Sequence, residues 1–211
     1  MRWNMKFVVL ISILACAPAC ESEQVTHVPA ASKDNATRES VDALDRETAQ
    51  RRKARLSGVE YAIGIDLRGG GDAFKGEITV GFDLSDVGSD LSLDFGGGTV
   101  RELRINDAPV PAQYNGFFLT LPAAALRKGR NTVDVAYTHP YSEDGTGLHR
   151  FVDPEDGRTY LYTYLWPYYA NRLFPSFDQP NLKAKISLTV QAPGDWTVVS
   201  TGVGEKQADA A

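Results

Sequence analysis

Sulfur is nearly absent from this 211-residue chain. Its two cysteines, Cys16 and Cys20, and its two methionines, Met1 and Met5, all fall within the first twenty residues. Beyond them no disulfide can form and no thiolate can hold a metal, so the fold must rest on packing. Histidine is almost as scarce. His27, His139 and His149 are the full set, and no two stand four residues apart. A zinc centre on one helix face needs two imidazoles at that spacing, so no catalytic or metal-binding residue is assigned in this chain. Basic charge is not in excess either, with 22 Lys+Arg against 27 Asp+Glu and a formal net charge of −5. Nucleic acid requires a clustered basic face, so no nucleic-acid partner is expected. The one basic cluster, Arg51, Arg52, Lys53 and Arg55, reads as the solvated end of a helix.

Long apolar runs are missing too. The stretch Phe7 to Leu14 is too short to span a bilayer, but it follows Arg2 and Lys6 and precedes small residues. That order reads as a leader peptide. It resembles a bacterial lipoprotein signal, in which the cysteine after a small residue is acylated. Cys16 follows Ala15 and has Ile13 and Leu14 upstream; Cys20 is the alternative, although Pro18 fits poorly there. The resemblance implies an exported, membrane-anchored lipoprotein, held stably only if several acyl chains are attached; a plain cleaved leader is the other reading. The expected organisation is a signal at 1–15, a flexible polar tether at 16–36, a helix at 37–57 and a β domain at 58–211. Ser40 or Thr37 would cap the helix, and Ser57-Gly58 would stop it.

From Gly58 onward the apolar period becomes two. Val59, Tyr61, Ile63, Ile65 and Leu67 alternate, then Phe74, Ile78, Val80, Phe82 and Leu84, then Leu91, Leu93 and Phe95. Further strands are expected at Val100 to Ile105, Phe117 to Leu121, Val133 to Tyr137, Ile186 to Val190 and Trp196 to Ser200. Asn115-Gly116 carries a hairpin signal, Asn106-Asp107 a turn, and Pro122 to Leu126 a single helical turn. Short strands punctuated by turns predict an all-β, mostly antiparallel, sandwich-like domain with one short N-terminal helix.

The densest signal lies between Gly145 and Val190. Tyr160, Tyr162, Tyr164 and Trp166 share one face of a strand. They form either an aromatic platform or the inner face of a sandwich, and Tyr160 and Tyr162 fit the inner face. Asp178-Gln179-Pro180 reads as a turn, with Arg172 paired to Asp178. Asp153, Glu155 and Asp156 read as a solvated turn.

Gly147-Leu148-His149-Arg150-Phe151, Tyr160-Leu161-Tyr162-Thr163, Ala170 to Pro180 (A-N-R-L-F-P-S-F-D-Q-P) and Lys183-Ala184 together resemble the N-terminal domain of the M1 zinc aminopeptidases. The resemblance implies a saddle-shaped β domain that lines part of the substrate cleft of a zinc enzyme. In that family a strand reading T-Q-x-E grips the substrate's free α-amino group. The matching stretch is Thr163-Tyr164-Leu165-Trp166-Pro167, so Tyr164 stands at the glutamine position and Trp166 at the glutamate position. These two are the candidate substrate-binding residues. H-E-x-x-H and G-x-M-E-N are absent, so the catalytic domain and its zinc are expected outside this chain, and no cofactor within it. A peptide is the expected substrate, and a separate catalytic domain and the membrane are the expected partners. The alternative is a non-catalytic peptide- or glycan-binding surface lipoprotein.

Overall fold

A computed structural model describes residues 38–206. The expected signal, both cysteines and the tether lie outside the described residues. Among the described residues eleven strands follow one α-helix, α1 (Arg46–Arg55): β1 (Leu56–Asp66), β2 (Ala73–Leu84), β3 (Leu91–Asp94), β4 (Thr99–Ile105), β5 (Ala108–Pro109), β6 (Gln113–Tyr114), β7 (Phe118–Leu121), β8 (Gly129–Pro140), β9 (Gly147–Val152), β10 (Thr159–Tyr164) and β11 (Ala184–Gln191). The six-stranded sheet runs β11-β1-β2-β8-β4-β5, the three-stranded sheet β3-β7-β6, and β9 pairs with β10 as a ribbon. Every pairing is antiparallel except β1 with β11. The domain is therefore all-β and sandwich-like, as the alternation predicts.

Period two dictates which side chains go inside. Along β1, Val59, Tyr61, Ile63 and Ile65 are buried, and along β8, Val133, Val135 and Tyr137. Leu93, Phe95, Leu119 and Leu121 of the small sheet and its flank complete one core with them. Each such side chain contributes about 1.5–3 kcal/mol by leaving water. Phe174 and Phe177, from the loop after β10, join the same core, with Phe174 5.9 Å from the Tyr61 ring and Phe177 5.2 Å from the Phe82 ring. The Asn106-Asp107 turn holds both residues at positive φ (52° and 67°), the conformation that closes a two-residue hairpin, here between β4 and β5.

Three expectations are corrected. The helix starts at Arg46, nine residues later than 37, because Asp45 is the cap: its carboxylate accepts from the Thr48 amide at 2.7 Å and the Thr48 hydroxyl at 2.6 Å, satisfying donors that the first turn leaves free. The basic cluster is not wholly solvated, since Arg52 is 2% exposed and bonded to Asp94. Trp196 to Ser200 forms no strand. Among the described residues no other strand lies alongside it, and a strand without a ladder partner leaves its backbone groups unpaired.

Candidate functional site

The β9–β10 ribbon carries the predicted aromatic residues. Its register sets Tyr160 opposite Phe151, Tyr162 opposite His149 and Tyr164 opposite Gly147. All six positions therefore share one face, because directly paired residues point the same way. That face is outward. Tyr160, Tyr162 and Tyr164 are 46%, 51% and 45% exposed and Trp166, two residues past β10's end, is 71% exposed. Tyr160 and Tyr162 thus do not line the inside of the sandwich, as their alternation suggests. The ribbon pairs with neither of the other two sheets, and among the described residues its aromatic side is left exposed.

Several contacts fix these rings. The His149 and Tyr162 rings lie 4.8 Å apart, and His149 Nδ1 accepts the Gly145 amide at 3.2 Å. The Tyr160 hydroxyl donates to Asp156 at 2.8 Å. Asp153 and Asp156 accept backbone amides of Glu155 and Arg158 at 2.8 Å, so that acidic cluster is the self-contained turn expected. Tyr164 meets Tyr169 with ring centroids 6.0 Å apart. Arg172 lies over Tyr169, 4.9 Å from the ring centre.

Arg172 is paired with Asp42 at 2.6 Å and Asp144 at 3.2 Å, not with Asp178. The bonds from the Thr146 amide, the Thr146 hydroxyl and the Ser142 hydroxyl, with Arg172 beside them, hold the Asp144 carboxyl below the usual carboxylate range. Gly147 allows the ribbon to sit this close: a Cβ there would lie 2.8 Å from the Arg172 carbonyl oxygen, and its φ is +61°.

Behind the ribbon lies a buried charge cluster that sequence reasoning missed. Asp94 is fully buried. Arg52 binds it through two nitrogens at 2.7 and 3.0 Å, Arg38 binds its Oδ1, and the Asp178 amide donates to its Oδ2 at 3.0 Å. Asp178 in turn accepts from the Asn171 amide and side chain, both at 3.0 Å. Its loop is therefore tied across seven residues, not by a local turn alone. Burial, with Asp94 nearby, pushes the Asp178 carboxyl up against those bonds. Arg38 also donates to the Tyr168 hydroxyl at 2.7 Å. Burial and Asp94 push that phenol up, and Arg38 opposes them. Two cations around one carboxylate satisfy the rule that buried charge must be paired. The one sequence signal was a charged aspartate between two apolar residues of an alternating strand, Leu91-Ser92-Leu93-Asp94-Phe95.

No imidazole near this site is arranged for metal binding. His139 has both ring nitrogens 2.7 Å from carbonyl oxygens, those of Pro140 and Gly96. Among the described residues no group of three or more His, Cys, Asp or Glu could hold a metal ion.

The Peptidase M1 N-terminal domain profile matches residues 59–211. The chain belongs to the M1 peptidase family. It is 40% identical to the aminopeptidase N of Streptomyces lividans over 161 residues, covering 74% of this chain and 19% of that protein. The chain thus spans about a fifth of that relative. A putative aminopeptidase-2 of Caenorhabditis elegans is 33% identical over 72 residues, 32% of this chain and 4% of that protein. Among solved structures, yeast LTA4 hydrolase superposes with a TM-score of 0.61 at 19% identity, covering 80% of this chain and 30% of that one. An M1 zinc metallopeptidase of Deinococcus radiodurans, bound to a Tyr-Ser-Ala substrate, gives 0.56 at 18% identity, covering 74% of this chain and 37% of that one. These structures share the fold. The family-matched segment contains the whole ribbon and the loop to Pro180, whereas α1 and the residues before it lie ahead of it.

Proposed function

We propose that this M1 N-terminal domain forms part of the substrate cleft of a zinc aminopeptidase and presents Tyr164 and Trp166 to the amino end of a peptide. The observation that carries this reading is the outward aromatic face on a ribbon anchored by Arg172 and Gly147. The zinc that the family implies does not fit the described residues, so hydrolysis is assigned to a catalytic domain carried elsewhere. The leader sequence supports an exported protein anchored through Cys16, or alternatively Cys20. Loss of fatty-acid labelling in Cys16→Ser and its retention in Cys20→Ser would establish which.

Replacing a carboxylate by tryptophan changes what the face can recognise. A desolvated ammonium wants a negative partner, and an indole offers only its π face, worth about 0.5–2 kcal/mol. The site should then discriminate weakly between free and blocked amino termini. Calorimetric titration with Tyr-Ser-Ala and its N-acetylated form tests this. Wild type should bind both within a few-fold, Trp166→Ala should weaken both, and Trp166→Glu should favour the free amine. Equal affinities for wild type and Trp166→Ala would refute the assignment, and binding of glycans alone would favour a free-standing module.

A further inference from the structure

Residues 38–45 lie ahead of the family-matched region, which begins at 59, and adopt neither helix nor strand. They nevertheless make two sets of contacts, one ending at Tyr168 and one that reaches the aromatic face through Tyr169. In the first, one Arg38 guanidinium nitrogen bonds Asp94 while the other donates to the Tyr168 hydroxyl at 2.7 Å and to the Ala43 carbonyl at 2.9 Å. The same guanidinium lies 4.5 Å from the centre of the Phe118 ring, so both of its terminal nitrogens and one face are engaged while its buried Nε has no partner. In the second, Asp42 takes Arg172 at 2.6 Å. Arg172 covers Tyr169, and Tyr169 meets Tyr164.

Arg172 has a choice of carboxylates. Asp144 lies on the ribbon side at 3.2 Å and Asp42 on the other. A planar guanidinium can stack on a ring face, and bonding partners at both ends of its fork fix the plane in which it does so. With Asp144 alone, one edge of the fork would be free to turn. Asp42 supplies the second anchor. The segment is itself fixed near both ends, by Asn115 donating to Ser40 at 3.0 Å and by the Asp45 cap of α1.

We propose that residues 38–45 act as a strap, in which Arg38 and Asp42 are positioning residues that set Tyr168 and Tyr169 and, through Tyr169, the orientation of Tyr164. The functional meaning of the strap rests on the reading of that face as the substrate side, but its geometry does not. A ligand-binding face would thus be tuned by residues of the same compact unit that lie ahead of the family-matched segment.

Fluorine NMR of fluorotyrosine-labelled protein tests the strap without any ligand. Tyr→Phe variants at 164, 168 and 169 assign the resonances. Asp42→Ala should shift the Tyr169 and Tyr164 signals while leaving Tm unchanged, because the Asp42–Arg172 pair is largely solvent-screened. Asp42→Glu should bring both signals back. Arg38→Lys keeps the charge but loses the two-way fork, and should move the Tyr168 signal only. Unmoved Tyr164 and Tyr169 signals in Asp42→Ala would overturn the proposal. So would shifts that come with a lower Tm and spread over all nine tyrosines, since that pattern is general loosening. Moved signals together with a silent Tyr-Ser-Ala titration would remove the substrate-face reading and leave the strap standing.

Discussion

Asp94 is the residue on which most depends. It neutralises Arg52, and Arg38 shares it. Asp94→Asn keeps the shape but leaves two buried cations without their counter-ion. Breaking a buried pair in this way costs about 3–5 kcal/mol, which a urea midpoint would show at once. By contrast, Glu47→Ala removes only an exposed i,i+4 partner of Arg51 and should cost about 0.3–0.5 kcal/mol. A midpoint for Asp94→Asn within experimental error of wild type would contradict the charge reading of the cluster. Asp178 and Asp144 give opposite pH signatures. The raised carboxyl of Asp178 holds its proton longer in the folded chain than in the unfolded one. Stability from this group is therefore full below the unfolded value of about 3.9 and declines as pH climbs toward the folded value. Asp178→Asn should flatten that decline in a series of urea unfolding curves. The lowered carboxyl of Asp144 stabilises above about 3.9 and is lost only as pH falls toward its folded value, so Asp144→Asn should blunt the loss at the acid end. In the sequence Asp178 reads as part of a turn and Arg52 as part of a solvated basic cluster. Asp94 and Arg52 are 42 residues apart, and a lone charge in an apolar strand does not say where its partner lies. Tyr164 and Trp166 drew attention in the sequence because they stand where the family strand reads glutamine and glutamate, and their role in binding is the one proposed above.

At the level of elements, period two was enough to find almost every long strand. A strand with one buried face writes its orientation into alternate residues, and β1, β2 and β8 do so over 11, 12 and 12 residues. The failures have three physical sources. Alternation says that two faces differ, not which one is covered, so Tyr160 and Tyr162 were placed inside. It also says nothing about partners, so Trp196 to Ser200 reads as a strand although no ladder forms. The helix start was lost for a third reason. Ser, Thr and Asp all cap well, and the chain offers Thr37, Ser40 and Asp45 in succession. In the structure the cap is Asp45, whose carboxylate accepts from the Thr48 amide and hydroxyl. Asp45→Ala should cost about 1 kcal/mol and speed amide exchange in the first turn of α1, with later turns still protected through Arg52. Unchanged exchange at Glu47 and Thr48 would mean that the strap, rather than the cap, defines the helix start.

Across the whole molecule the six-stranded sheet has two unlike edges. One is β5, two residues long and ending in Pro109, which lacks an amide to offer a neighbour. The other is β11, eight residues that among the described residues pair on one side only, with β1. Its Ile186 and Leu188 continue the row formed by Tyr61 and Ile63 but are 62% and 46% exposed. Val198 and Val199 nearby in sequence are exposed as well. A long edge with an apolar face and free backbone groups is a template for further pairing. Charge opposes this weakly, since Lys185 is the single charged side chain on the strand and the net charge of −5 spreads over the whole chain. The described fold should therefore associate through β11 as its concentration rises. Static light scattering should show a concentration-dependent mass increase in the 211-residue chain. Leu188→Lys should suppress it by placing a charge on the apolar row, whereas Thr189→Lys, on the opposite face, should suppress it less. Equal suppression by both would point to net charge alone as the cause. Association untouched by either would move the sticky surface to the aromatic ribbon, where Trp166→Ala becomes the next variant to measure.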